Sequence, residues 1–179
     1  TVTRCSNSFL ENANYLKKLA IPEQVFVAQN ASSSFFSLII SMVLLIVICC
    51  LLGHYPVLSW ISLPLILILL QGFGFGLGLL LGILNTFFRD INQVLALILQ
   101  LWFWSTPIVY TENILPEWIK EWLFLNPIYY FIHTLQAVIV DRNWPEPHAL
   151  AVMTLFALCL PLLGYLALRK LRPEIRDVL

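Results

Sequence analysis

The feature that most constrains the fold is a set of long apolar stretches without a charged residue. Crossing the hydrocarbon core of a bilayer takes about 20 such residues in a helix. Four stretches of roughly this size contain no Asp, Glu, Lys or Arg: residues 33–53, 58–84, 94–110 and 149–168. With 60% hydrophobic and only 11% charged residues, the chain has too few polar groups to cover a soluble globule. The sequence predicts an all-α integral membrane protein with four transmembrane helices.

A fifth uncharged stretch, residues 122–140, is also long enough to span, but Asn126-Pro127 interrupts it near its start. Lys and Arg accumulate on the cytoplasmic side of membrane proteins. With four spans, every basic residue except Lys120 and Arg142 falls on one side, whereas a fifth span would carry the basic C-terminal tail outside. We therefore expect four spans, with both ends of this chain in the cytoplasm.

Residues 111–146 then form an outer segment that enters the interface without crossing it. Pro116 suits the first turn of one short helix, and Asn126 followed by Pro127 is a cap and first-turn pair for a second. Aromatic residues such as Tyr129 and Tyr130 are typical of headgroup depth. We expect a pair of short re-entrant or interfacial helices here.

The opposite side has an amphipathic segment, residues 9–18, in which apolar residues recur at helical spacing. It is too short and too polar to span, so we expect it on the cytoplasmic surface. It is either a passive surface helix or a docking site for a partner. Its polar residues are Glu11, Asn12, Asn14, Lys17 and Lys18.

Glycines recur at four-residue intervals in the second apolar stretch, at Gly74, Gly78 and Gly82. This spacing puts bare backbone along one helix face and favours close packing of a neighbouring helix, with a flexing point as the alternative. The chain contains no Gly-Lys dipeptide, so it lacks the phosphate-binding loop of an ATPase. No ATP, Mg²⁺ or other cofactor is expected on this chain.

Four aromatic residues cluster toward the outer half of the third stretch: Trp102, Phe103, Trp104 and Tyr110. One interpretation is an aromatic belt at the membrane interface. The other is a stacking surface for a substrate with apolar faces and hydroxyl edges, such as a sugar chain. Trp102 lies deepest and is the strongest candidate for that second role.

The chain shows no pattern typical of a catalytic or metal site. The four cysteines and three histidines have no paired ligand spacing, and no acid falls within a predicted span. The formal net charge is zero, which gives no basic field for nucleic acid.

Arg89 and Asp90 lie between two apolar stretches, in NTFFRDI. Adjacent helical residues point in different directions, so we interpret the two as separate caps of a tight cytoplasmic hairpin. Arg89 would close the second span, and Asp90 would open the third in a capping box with Gln93.

Several motifs taken together resemble a known family. SNSFLENANYLKKLAIPEQV (residues 6–25), NTFFRDI, WSTPIVY (104–110), LFLNPIYY (123–130) and the basic tail resemble the permease subunit of type-2 ATP-binding-cassette exporters, in the branch that exports polysaccharide or polyol phosphate. Capsule, O-antigen and teichoic acid chains are the substrates of that branch. The resemblance covers essentially the whole chain and implies the C-terminal portion of a six-span permease that lacks its usual N-terminal part.

The resemblance implies a homodimer in the bacterial inner or plasma membrane that binds a glycan or glycolipid. ATP hydrolysis would belong to a separate nucleotide-binding subunit, contacted by the amphipathic coupling segment and by Arg89 and Asp90. The implied organisation is the end of a preceding span with the coupling segment (1–32), three transmembrane helices (33–110), outer re-entrant helices that include Asn126, Pro127, Tyr129 and Tyr130 (111–146), and a last helix with a basic tail (147–179).

Two alternatives remain open at this point. The same transporter class could export a drug or a small lipid. A membrane-embedded enzyme acting on lipid-linked substrates is the third interpretation, although such enzymes normally cluster acids or histidines at one membrane face.

Overall fold

The computed structural model describes residues 1–12, 22–88, 90–108, 110 and 116–178, and regular structure in these parts is helical throughout. The helices are α1 (Val2–Glu11), α2 (Gln24–Leu51), a 3-10 helix (Leu58–Ser62), α3 (Leu63–Phe87), α4 (Ile91–Ser105), α5 (Glu117–Leu123), α6 (Pro127–Ile139) and α7 (Pro147–Val178). The all-α class expected from the sequence is confirmed.

Three helical segments in the described chain are long and apolar enough to cross a membrane: Gln24–Leu51, Leu58–Phe87 and Pro147–Arg172. They correspond to three of the four predicted spans, although the first helix ends at Leu51, two residues before the end of the predicted span. The first and last helices extend beyond the uncharged stretches, because a helix continues past the hydrocarbon core where its backbone bonds remain satisfied.

The predicted third span, residues 94–110, differs from the structure. Helix α4 ends at Ser105, and its 15 residues give a length of about 22 Å. Thr106 has extended backbone angles (φ −99°, ψ 133°). Pro107 explains this end, since a proline disfavours helical geometry in the residue before it. The apolar helix is therefore shorter than the apolar sequence.

Helix α3 lies at the centre of the molecule and contacts α1, α2, α4, α6 and α7. Two apolar clusters lie along it. The first, at the C-terminal end of α3, joins α1, the start of α2 and the last part of α7 through Phe9, Val27, Ile83, Leu168 and Ile175, among others. The second, toward the N-terminal end, joins the 3-10 helix, α6 and the first part of α7 through Trp60, Phe73, Phe131, Val138 and Met153, among others.

One face of α3 carries Gly74, Gly78 and Gly82 and packs against α1. A Cβ atom added at Gly82 would lie 3.2 Å from the carbonyl oxygen of Cys5, and one at Gly78 would overlap the Cβ of Cys5. Only a helix without side chains on this face permits that approach. The close packing that the spacing predicts is present, and α1 is the neighbour.

Helix α1 contains the first residues of the predicted amphipathic segment, residues 9–11. It begins at Val2 and ends at Glu11, and its residues Cys5 and Phe9 are fully buried against α3. Glu11 is exposed at its end, followed by Asn12. Residues 13–21 lie outside the described residues, so the surface helix expected beyond Asn12 stays a prediction.

The opposite face of α3 carries two further glycines that pack against α7. A Cβ at Gly76 would lie 2.5 Å from the backbone nitrogen of Pro161, and one at Gly72 would lie 3.1 Å from the carbonyl oxygen of Ala157. Helix α3 therefore has two bare faces, one for each neighbour. The sequence interpretation identified only the first of them.

Candidate functional site

The first candidate region is the junction between the end of α4 and the start of α6. Asn126 is the N-cap of α6, with extended backbone angles (φ −86°, ψ 110°), and Pro127 occupies the first turn. The Asn126 Oδ1 atom accepts a hydrogen bond from the backbone N–H of Ile128 at 3.1 Å. This is the cap and first-turn pair predicted from the sequence, and α5 likewise begins directly after Pro116.

Asn126 also connects the two helices. Its Oδ1 accepts a hydrogen bond from the Trp102 indole N–H at 2.8 Å, and its Nδ2 donates to the Thr106 hydroxyl at 2.9 Å. The Thr106 hydroxyl in turn donates to the carbonyl oxygen of Trp102 at 2.9 Å. The Asn126 amide group thus hydrogen-bonds both to side chains at the end of α4 and to the backbone at the start of α6. We call Trp102, Thr106 and Asn126 the junction triad.

The junction triad lies part of the way along α3. Trp102 meets Phe73 edge-on at a ring distance of 6.4 Å, and Phe131 of α6 lies 5.4 Å from Phe73. Phe73 is about 15 Å along the axis from Leu63, where α3 begins. Irregular backbone at membrane depth needs protein partners for its polar groups. The junction triad supplies one partner to the backbone N–H of Ile128 and one to the carbonyl oxygen of Trp102.

Helix α6 runs from the level of the junction triad toward the N-terminal end of α3. Its later residue Val138 packs in the same cluster as Trp60 of the 3-10 helix and Ala149 of α7. Gln136 of α6 also donates through Nε2 to the carbonyl oxygen of Pro107 at 3.3 Å. The start of α6 therefore lies farther from the N-terminal end of α3 than the end of α6 does.

The four aromatics predicted for a substrate path divide into two groups. Trp102 is partly buried and its N–H is engaged by Asn126. Phe103 and Trp104 are exposed, and Tyr110 donates from its hydroxyl to the carbonyl oxygen of Trp104 at 3.0 Å. The structure therefore gives Trp102 a packing role, and leaves Phe103 and Trp104 as the accessible rings.

The outer aromatics divide in the same way. Trp118, Trp122 and Trp144 are exposed, as the headgroup interpretation requires. Tyr129 is instead buried, with its ring 5.9 Å from Phe124, and Tyr130 is half-buried, with its hydroxyl donating to the Phe124 carbonyl oxygen at 3.1 Å.

The second candidate region is the opposite end of the molecule, where coupling residues were predicted. Glu11 and Asp90 are exposed there, and Asn12 donates through Nδ2 to the carbonyl oxygen of Ser8 at 2.9 Å. Asn14, Lys17, Lys18 and Arg89 lie outside the described residues.

The capping box predicted at Asp90 is wrong. Helix α3 ends at Phe87 and α4 begins at Ile91, so the tight turn between two helices is present. However, Asp90 has helical backbone angles (φ −76°, ψ −11°) and its side chain makes no cap hydrogen bond. A side-chain cap normally requires extended angles, which aim the oxygen at the free N–H groups.

Two side-chain amides that were not predicted from the sequence hold α1 in place. Asn85 of α3 is fully buried, and its Nδ2 donates to the carbonyl oxygen of Ser6 at 3.0 Å. Asn30 of α2 donates through Nδ2 to the Ser8 hydroxyl at 2.8 Å. Amides inside or beside apolar stretches were the available signal, because such groups seek partners from other helices.

An ion pair with a buried acid was also missed. The Nε atom of Arg172 in α7 lies 2.9 Å from Oε2 and 3.1 Å from Oε1 of Glu23, the residue just before α2. Glu23 is only 1% exposed. An acid at the boundary of an apolar stretch was the only sequence signal for it.

These observations define a class: a multi-pass, all-α membrane protein whose central helix packs through glycines on two faces. Among the described residues, no group of three His, Cys, Asp or Glu side chains could hold a metal ion.

The chain belongs to the ABC-2 type transporter family, whose family model matches residues 4–140. It is similar to two proteins of Klebsiella pneumoniae, each named O-antigen export system permease protein RfbA, with 26% and 25% identity over 173 residues. These alignments cover 96% of this chain and 66% of each relative. A protein of the same name from Myxococcus xanthus is 24% identical over 150 residues, which are 83% of this chain and 58% of that relative. The chain thus spans 66% of the length of the Klebsiella relatives.

Proposed function

We propose that this chain belongs to the membrane subunit of an ATP-driven exporter that moves a lipid-linked polysaccharide across the bacterial inner or plasma membrane. The observation that carries the proposal is the similarity along 96% of the chain to permeases named for O-antigen export. Membership of the ABC-2 type transporter family supports a transport subunit rather than an enzyme.

The junction region supports a role in the substrate path. Exposed Phe103 and Trp104 follow Trp102 on α4, next to the segment that the junction triad holds at depth. Aromatic rings offer flat apolar surfaces against which the apolar faces of a sugar can pack, and tryptophan adds a polar edge. Phe103 and Trp104 are therefore our candidates for glycan contact.

The partners of the proposal are a nucleotide-binding ATPase subunit and a second copy of the permease. Glu11, Asn12 and Asp90 lie at the end of the molecule that also holds the start of α2 and the end of α7. Together with Asn14, Lys17, Lys18 and Arg89 they would form the surface that docks the ATPase. ATP and Mg²⁺ would bind to that partner.

The proposed orientation places this end in the cytoplasm. The exposed basic residues Arg169, Lys170 and Arg172 are at the end of α7, and positive charge marks the cytoplasmic side. Four crossings, one of them by α4 with the residues that follow it, would place both ends of this chain on that side.

Deletion of the gene tests the substrate. We expect loss of surface polysaccharide and accumulation of lipid-linked glycan on the cytoplasmic side, measured by immunoblot and by glycolipid extraction. Unchanged surface polysaccharide with increased drug susceptibility, or with an altered content of another lipid, would favour the alternative substrates and contradict the proposal.

The docking surface has a separate test. Replacing Asn14 and Lys17 with glutamate should reduce co-purification of the ATPase. The change puts two bulky acidic side chains where the proposed docking segment has one neutral and one basic side chain. A Glu146→Gln variant, far along the sequence on a predicted outer segment, is the matched control. Unchanged association and export in the double variant would contradict docking at this segment.

A further inference from the structure

The Glu23–Arg172 pair joins two parts of the chain that are 149 residues apart in sequence. The Arg172 Nε–H donates to Oε1 of the Glu23 carboxylate at 3.1 Å, and the same nitrogen lies 2.9 Å from Oε2. The Glu23 side chain is 2% exposed, whereas that of Arg172 is 47% exposed. The acid is therefore buried and the base reaches it from the surface.

Apolar contacts reinforce the same joint. Phe26 and Val27 follow Glu23 by three and four residues, and Leu168 and Ile175 flank Arg172 at helical spacing. These four residues belong to one buried cluster. The start of α2 and the end of α7 are thus held together by both charge and packing.

The far end of α7 contacts the junction region. Ala149 and Met153 of α7 pack with Phe131 and Val138 of α6, and α6 begins at Asn126 of the junction triad. A displacement of α7 at its Arg172 end would reach α6 through a continuous helix and a packed contact.

We propose that Glu23 and Arg172 are positioning residues that transmit movement from the ATPase-facing end, through α7, to α6 and the junction triad. This inference rests on the proposed function. A buried carboxylate stays charged only while it keeps partners, so removing the charge loosens the joint without emptying the space. The pair would therefore matter for coupling between ATP use and transport, more than for assembly.

The test uses the permease at its natural length in complex with its ATPase. Glu23→Gln keeps size and removes charge, Arg172→Gln removes the base, and Arg172→Lys keeps a cation. Arg169→Ala, an exposed basic residue one turn away, is the matched control. Three quantities are measured: ATPase co-purified per permease, the rate of ATP hydrolysis, and lipid-linked glycan moved per ATP in vesicles.

We expect Glu23→Gln and Arg172→Gln to bind the ATPase and hydrolyse ATP as wild type does, but to move at least about fivefold less glycan per ATP. Arg172→Lys should retain a larger share of the wild-type glycan movement per ATP, and Arg169→Ala should equal wild type in this quantity. Unchanged glycan per ATP in both Gln variants, or a loss only in proportion to lost complex, would overturn the inference.

A second readout does not depend on the glycan. A single cysteine at the exposed position His148, near the other end of α7, is labelled with a maleimide with and without ATP. ATP should change the labelling rate in the wild-type background, and Glu23→Gln should abolish the change. A wild-type complex that moves no glycan but shows the labelling change contradicts the proposed function alone. An ATP-dependent change that persists in Glu23→Gln contradicts the proposed role of the Glu23–Arg172 pair.

Discussion

At the scale of single residues, two short polar side chains at helix starts behave differently. Asn126 has extended backbone angles, and its amide accepts from Ile128 and Trp102 and donates to Thr106. Asp90 occupies the equivalent position before α4, yet its helical angles turn the carboxylate away from the free N–H groups. A capping residue type alone is thus a weaker predictor of a side-chain cap than the same residue type followed by proline. Proline restricts the preceding residue to extended geometry.

Asn126→Ala should lower the free energy of unfolding by about 2 kcal/mol, because it removes an N-cap bond and leaves the partly buried Trp102 N–H and the buried Thr106 hydroxyl without this partner. Denaturant titration of the detergent-purified protein measures the change. Asn143→Ala, at an exposed position, is the control and should stay close to wild type. Equal stability of the two variants would rule out the junction triad as a stabilising feature.

Asp90→Ala should change the free energy of unfolding by less than about 0.5 kcal/mol, as for an exposed side chain without a cap bond. The same titration decides it. A loss of about 1 kcal/mol, typical of a missing cap, would show that the capping box forms after all.

At the scale of helices, the spacing of small residues predicted which face of α3 is bare, but not what covers it. Gly74, Gly78 and Gly82 lie against α1, and Gly72 and Gly76 lie against α7. The second neighbour, α7, begins at Pro147, far beyond the end of α3 at Phe87. The spacing of glycines within α3 contains no information about so distant a partner. The Glu23–Arg172 pair was missed for the same reason, since neither residue reveals its partner locally.

Gly76→Ala should destabilise the protein by about 2 kcal/mol, because the added methyl group meets backbone atoms of Leu160 and Pro161 that cannot rotate away. Gly72→Ala is the matched substitution on the same face, where the nearest atom is 3.1 Å away, and should cost about 1 kcal/mol less. Equal losses, or the reverse order, would contradict the close approach of α3 and α7 at Gly76.

At the scale of the whole molecule, membrane class could be predicted from composition, and three span-length helices could be predicted from uncharged length. The structure of residues 94–110 could not be predicted, because Pro107 ends α4 within an apolar stretch and residues 106–108 continue as irregular backbone. The partners of these residues are distant in sequence: Gln136 donates to the carbonyl oxygen of Pro107, and Asn126 donates to the Thr106 hydroxyl. A window of local hydropathy contains neither partner.

The proposed topology can be measured by cysteine labelling in a background that lacks the four native cysteines. Single cysteines at His54 and Asn143 should react with a membrane-impermeant maleimide added to intact cells. Cysteines at Glu11 and Glu174 should react only after permeabilisation, because the four proposed crossings would return the chain to the cytoplasm. Labelling of position 174 from outside, with position 143 protected, would mean that α4 and the residues after it do not cross.

The most direct measurement of the central claim is ATP-dependent glycan movement by the purified complex. Permease at natural length and its ATPase are reconstituted into vesicles that contain a lipid-linked polysaccharide, and glycan reaching the opposite leaflet is quantified with a membrane-impermeant lectin. We expect movement that requires ATP and both subunits. Stoichiometric assembly and active ATP hydrolysis without any glycan movement would contradict it.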